Sequence, residues 1–204
     1  MAQTIHLVRH GRSAPEESRP AEEWPLHPDA GAGLTALLES GRLPVRARWF
    51  SSPEPKARAT ARALTDTSVG FVDGLREMTR PAGPWLDAAA WSALVRRCMT
   101  EPDVPAAPGW EAAVDTTERV VGAVRRIVDS CPDDDVVLVG HGTAWTLVVA
   151  ALTRRPPDLQ AWERLRMPDH CVLRLDGEDA EIIAPWGVDE PVPTSPGPGP
   201  YRPS

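Results

Sequence analysis

Short apolar runs alternate along this chain with stretches of helical periodicity. Thr4 to Val8 reads as a first strand, and Val136 to Val139 is a continuous apolar run, the pattern of a strand buried on both faces. Ala47 to Ser51 and Val69 to Val72 read as further short strands. Pro28 to Ser40 places Leu34, Leu37 and Leu38 at helical spacing, with Gly41 as a C-terminal stop. Glu54 to Thr65 reads as a second helix. Trp85 to Met99 and Glu111 to Ser130 read as two more, separated by the proline-rich link Glu101 to Gly109. Val114, Val121, Val124 and Val128 give the latter helix its expected apolar face. Another helix is expected from about Thr143 to Thr153. Cys171 to Leu175 and Glu181 to Ala184, joined through Asp176-Gly177, read as a terminal hairpin.

Strands alternating with helices predict an α/β domain, a three-layer sandwich with a mostly parallel central sheet flanked by helices. A small helical excursion over the site is expected between residues 78 and 110. Trp85, Trp91 and Trp110 fall in or beside it, and anchoring it to the sheet is favoured over lining a substrate wall. The domain is placed at residues 1–186. Residues 187–204 are rich in proline and glycine and are expected to be extended or disordered.

Two of the apolar runs end in the same chemistry. Ile5 to Val8 leads into Arg9-His10-Gly11, and Val136 to Gly140 leads into His141-Gly142. Ligands of open α/β sheets bind at the carboxyl ends of the strands. An imidazole there offers a nitrogen nucleophile, and an adjacent guanidinium offers a bidentate anion clamp. Together they suggest phosphate chemistry.

Four segments then fall into one order. Leu7 to Ser13, Ser51 to Ala61, Leu75-Arg76-Glu77 and Val139 to Gly142 resemble the motifs of the histidine phosphatase superfamily, the phosphoglycerate-mutase-like enzymes. The resemblance implies a phosphoric monoester hydrolase with His10 as nucleophile, Glu77 as general acid and base, and His141 as a third catalytic group. Arg9, Lys56, His141 and Ser13 would bind the phosphoryl group. No metal or other cofactor is expected, since Arg9 and Lys56 supply positive charge and the chain carries no HExxH or clustered aspartate motif.

Two positions depart from the family pattern. Lys56 stands where an arginine is common, keeping the charge but losing the planar fork. Arg58 is a weaker substitute, since a two-residue offset on a helix points it elsewhere. Arg12 follows the first motif where many relatives carry an acid; enlarging the basic pocket and facing solvent are equally open. Ser13 is either a phosphate donor or a turn residue. His6, His27 and His170 lack catalytic context.

Composition narrows the partners. The formal charge of −7 lacks the basic footprint of nucleic-acid binding. No apolar run approaches a membrane span. Cys98, Cys131 and Cys171 form neither a disulfide framework nor a CxxC pair, Cys171 reads as core, and a cytoplasmic setting is the default. Lys56 is the lone lysine among 22 basic residues.

The expected activity is therefore a metal-independent phosphomonoesterase acting on a small phosphorylated metabolite through a phosphohistidine. A phosphoglycerate-type mutase, a protein-phosphohistidine phosphatase and a non-catalytic phosphate-binding domain are the alternatives. Few basic residues, chiefly Arg80, Arg96 and Arg97, lie in the interval where a mutase would hold its substrate. Trp24, Arg80 and Trp85 are candidates for specificity. Neither the substrate nor the oligomeric state is legible.

Overall fold

A computed structural model describes residues 3–81 and 86–187. Trp85 and the tail from residue 188 lie outside the described residues. The strands are β1 (Thr4–Arg9), β2 (Arg48–Ser51), β3 (Val69–Phe71), β4 (Val136–Gly140), β5 (Asp169–Asp176) and β6 (Asp179–Ala184). They form one sheet in the order β3-β2-β4-β1-β5-β6. β1, β2, β3 and β4 run parallel, and β5 and β6 add an antiparallel edge.

The helices are α1 (Gly31–Glu39), α2 (Pro55–Leu64), α3 (Ala88–Thr100), α4 (Ala113–Asp129), α5 (Gly142–Thr153) and α6 (Leu159–Arg164). Strand β4 shows how the layers arise. Its side chains alternate between faces. Val136 and Leu138 pack with Val120, Val124, Ile127, Trp145 and Val148 of α4 and α5. Val137 and Val139 pack with Leu34, Leu37, Ala57, Ala61 and Leu64 of α1 and α2. Both layers bury β4 completely, which is why its sequence is uniformly apolar.

A third cluster holds the excursion together. Met78, Val95, Cys98, Met99, Ala106, Trp110 and Leu147 form it, with Trp91 and Trp162 packed alongside. Trp91 and Trp110 are thus anchors, as their positions suggested. Cys171 is fully buried in the sheet core.

Three expectations need adjustment. The excursion helix starts at Ala88. The buried stripe of α4 is Ala113, Thr116, Val120, Ala123, Val124 and Ile127, and the expected Val121 and Val128 pack against the same core partly buried, leaving Val114 off it. Small residues set this face: a Cβ on Gly74 would sit 2.6 Å from the Ala123 Cβ, so α4 lies hard against that turn. Finally, α6 carries too few apolar positions to signal itself.

Candidate active site

Register creates the site. Arg9 of β1 is paired with Gly140 of β4, so the next residue on each strand, His10 and His141, emerges side by side. The His10 backbone N–H also donates to the Gly140 carbonyl at 2.9 Å. The two rings lie 5.3 Å apart between centroids in an edge-on arrangement. Both are almost fully buried.

His10 Nδ1 lies 2.7 Å from the Gly11 carbonyl oxygen, which only accepts. Nδ1 must therefore carry the proton, leaving Nε2 with a free lone pair. Burial, then the neighbouring His141, Lys56 and Arg9, hold the His10 pKa well below 6.5 despite the bond to Gly11. The neutral form of the ring is therefore favoured, with the Nε2 lone pair free. Gly11 is fixed in turn by its N–H bond to Thr60 Oγ1 at 2.9 Å.

His141 Nε2 faces Ser52 Oγ at 2.8 Å and Glu54 Oε1 at 3.3 Å. Its Nδ1 is buried with no partner. Burial, Lys56, Arg80 and Arg9 lower its pKa well below 6.5, against the opposing pull of Glu77.

Glu77 is seated on the N-terminus of α5. Its Oε1 accepts from Ala144 N at 2.9 Å and Met78 N at 2.9 Å, and its Oε2 accepts from Thr143 N at 3.1 Å. A carboxylate complements the positive end of a helix. Burial pushes Glu77 up, but Arg80, His141 and the Met78 N–H outweigh it and hold the pKa below 4.5. The acid thus sits on the first turn of the helix that His141 introduces.

Arg9 Nη1 donates to the carbonyls of Leu165 at 2.7 Å and Arg166 at 3.3 Å, while its Nε is buried without a partner. A Cβ on Gly142 would stand 3.1 Å from that Nε, so the glycine makes room for the guanidinium. Lys56 opens α2. Its ammonium donates to Glu54 Oε2 at 2.6 Å and to the Ala21 carbonyl at 2.7 Å. Arg58 turns away, with its guanidinium over Phe71 at 4.8 Å from the ring centroid. Arg12 is exposed. Ser13 sits in an antiparallel backbone bridge with Leu26.

Sequence reasoning missed Glu54. It is almost fully buried, bonds Lys56 through Oε2, and accepts the Glu77 N–H through Oε1 at 2.8 Å. Arg80 was named only as a specificity candidate. It donates to Thr143 Oγ1 at 2.9 Å and also keeps a buried, unpartnered Nε. Four side-chain nitrogens are buried without partners among the described residues, and Arg9, Arg80 and His141 supply three of them. Arg9, Lys56 and His141 surround the neutral His10 ring with positive charge and polar nitrogens, an environment that suits an oxyanion.

The sequence pattern of the histidine phosphatase superfamily (branch 1) matches residues 5–185. This chain belongs to the histidine phosphatase superfamily. As a histidine phosphatase it is a phosphoric monoester hydrolase by class. Solved structures agree with the fold. The mycobacterial glucosyl-3-phosphoglycerate phosphatase with inorganic phosphate is 25% identical, with a TM-score of 0.67 covering 89% of this chain and 95% of that one. A phosphoserine phosphatase mutant from Entamoeba histolytica in complex with phosphoserine is 16% identical, at a TM-score of 0.67 over 92% and 98%. The Bacillus anthracis phosphoglycerate mutase is 14% identical, at 0.70 over 93% of each chain. No curated protein sequence matches. No helix among the described residues is long and apolar enough to cross a membrane.

Proposed function

We propose that this histidine phosphatase is a metal-independent phosphomonoesterase that hydrolyses a small phosphorylated metabolite through a phosphohistidine on His10. The observation that carries the reading is the free Nε2 of a neutral His10 set beside His141 and within the field of Arg9 and Lys56. Phosphoryl transfer is chiefly positioning and charge stabilisation, and these groups provide both.

In the first step His10 Nε2 forms a bond to phosphorus as the bond to the ester oxygen breaks. Glu77 gives its proton to the departing alkoxide. The free protein holds Glu77 low, so the arriving phosphate must raise it: a second negative charge beside a carboxylate favours the protonated form. In the second step the Glu77 carboxylate takes a proton from water, whose oxygen attacks phosphorus and releases inorganic phosphate and His10. Arg9, Lys56 and His141 steady the equatorial oxygens throughout.

Hydrolysis is favoured over a mutase reaction because two of the three arginines of the excursion are already paired and only Arg80 is left to hold a reorienting intermediate. Arg96 and Arg97 are engaged with Glu163 and Glu101. The mycobacterial, amoebal and other phosphatases of this fold act, by their names, on small phosphorylated metabolites.

The test is turnover of p-nitrophenyl phosphate in excess chelator. Wild type should be active and His10→Ala should lose essentially all turnover while melting normally. Acid-labile, base-stable label from a radioactive substrate should be trapped on the wild type only. Near-normal turnover by His10→Ala would remove the nucleophile assignment.

A further inference from the structure

Arg80 is a half-buried cation held in place without a direct ion pair. Its Cζ lies 4.6 Å from the Trp91 ring centroid and 5.1 Å from that of Trp110. One amino group donates to Thr143 Oγ1. Its Nε is buried without a partner. Arginines of the excursion and of the neighbouring α4 have counter-ions in contact: Arg96 pairs with Glu163, Arg97 with Glu101 and Arg119 with Glu111. Glu77 feels the charge of Arg80, but its own oxygens are taken up by backbone N–H groups. Among the described residues no carboxylate pairs with Arg80. Two indoles hold the guanidinium by cation–π attraction, and its Nη1 has no hydrogen-bond partner among the described residues.

Its location is as informative as its state. The Thr143 residue that accepts from Arg80 also donates its backbone N–H to Glu77. Glu77 faces the departing oxygen of the ester in the proposed reaction. Arg80 therefore stands on the leaving-group side, beyond the phosphoryl cradle of His10, Arg9 and Lys56. A desolvated guanidinium is costly to keep without an anion, and its fork matches a carboxylate or phosphate bidentately.

We infer that Arg80 is a subsite for a second acidic group, so that the substrate is a phosphate ester whose alcohol part carries its own oxyanion close to the ester oxygen. This rests on the proposed phosphatase reading for the position of the ester. A carboxylate and a second phosphate share the chemistry, and matched substrate pairs separate them. The Trp91 and Trp110 rings set the approach angle of the fork, which makes this part of the excursion a specificity element as well as a covering.

The experiment compares 3-phosphoglycerate with glycerol 3-phosphate, and glucose 1,6-bisphosphate with glucose 6-phosphate. Wild type should favour the doubly acidic member of at least one pair by about tenfold or more in kcat/KM, mostly through KM. The preferred pair identifies the oxyanion. Arg80→Met keeps the length and the packing on tryptophan. It should lower the acidic member about 10- to 100-fold more than the neutral-alcohol member, the worth of a charged hydrogen bond. Arg80→Lys should recover part of the loss. Arg58→Met, which removes the same charge from the Phe71 face, should preserve the preference. Equal losses on both members, or no wild-type preference in either pair, would overturn the subsite. Calorimetric binding to His10→Ala separates this from the hydrolysis reading. An acidic-ester preference that vanishes with Arg80→Met but without wild-type turnover keeps the subsite and removes hydrolysis. Turnover without any Arg80-dependent preference does the reverse.

Discussion

Glu54 ties three residues of the proposed site together through one carboxylate. Oε2 holds the Lys56 ammonium, and Oε1 takes the Glu77 N–H and lies 3.3 Å from His141 Nε2. Lys56 and Glu54 side chains are 7% and 2% exposed, so neither charge can turn to water if the other is removed. Breaking such a pair from one side costs about 3–5 kcal/mol, whereas replacing both by uncharged groups of similar volume is near neutral. Glu54→Gln should therefore melt well below wild type, and Glu54→Gln with Lys56→Met should recover much of the difference. Both should lose at least about tenfold in kcat. A double variant less stable than the single one would show that the pair is not coupled. The two histidines were legible because each follows an apolar strand, and Lys56 because its motif has a fixed spacing. Glu54 was not. A glutamate two residues before a lysine at a helix start reads as a solvated pair, and only the packing of α2 against the end of β4 turns it inward. The unmet donor of Arg80 was equally hidden, since Trp91 and Trp110 meet it only after the excursion folds back.

The strand ends that carry the histidines depend on a close contact between β4 and α5. Trp145 is fully buried and its Nε1 donates to the Val8 carbonyl at 2.9 Å, one residue before Arg9. Its ring lies over Gly140: an added Cβ would meet Trp145 Cζ2 at 2.5 Å and Cε2 at 2.9 Å. The glycine is needed there for closeness of approach. Gly140→Ala must displace either the indole or the strand, and overpacking of this kind costs about 1–3 kcal/mol. The displaced groups are also those that aim His10 and His141. Gly140→Ala should thus lower both the melting temperature and kcat, while an alanine at solvent-open Gly31 changes neither much. A fully active, normally stable Gly140→Ala would show that the contact does not set the histidine geometry. At this scale the strands and most helices followed from periodicity. The face of α4 followed in part: Val121, Val124 and Val128 pack on the core, but apolar counting passes over Ala113, Thr116 and Ala123, the small residues that permit close packing.

The whole molecule buries more neutral histidine than its site needs. His6 of β1 and His170 of β5 stack with centroids 5.2 Å apart, and His6 Nδ1 lies 3.0 Å from His170 Nε2. Burial, opposed by Asp135, lowers His6 to about 4; burial, His6 and Arg42 lower His170 to about 3. These folded values lie below the unfolded value of 6.5. Between about pH 6.5 and 4 the unfolded chain binds protons that the folded chain refuses, so acid favours unfolding. The stability is intact above about pH 6.5 and is lost as the pH falls towards the folded values. Each histidine adds a slope of up to about 1.4 kcal/mol per pH unit, and His10 and His141 act in the same direction. Chemical denaturation at about pH 7.5, 6 and 5 should show stability dropping steeply, and His6→Leu with His170→Leu should flatten the drop while retaining activity. Because His10 stays neutral well below 6.5, its protonation should not limit turnover in mild acid. The acid limb of the rate profile should coincide with unfolding and move to lower pH in the His6→Leu, His170→Leu variant. An acid limb near about pH 6.5 in a protein still fully folded there would mean that the nucleophile titrates in the ordinary histidine range, against the burial that defines this site.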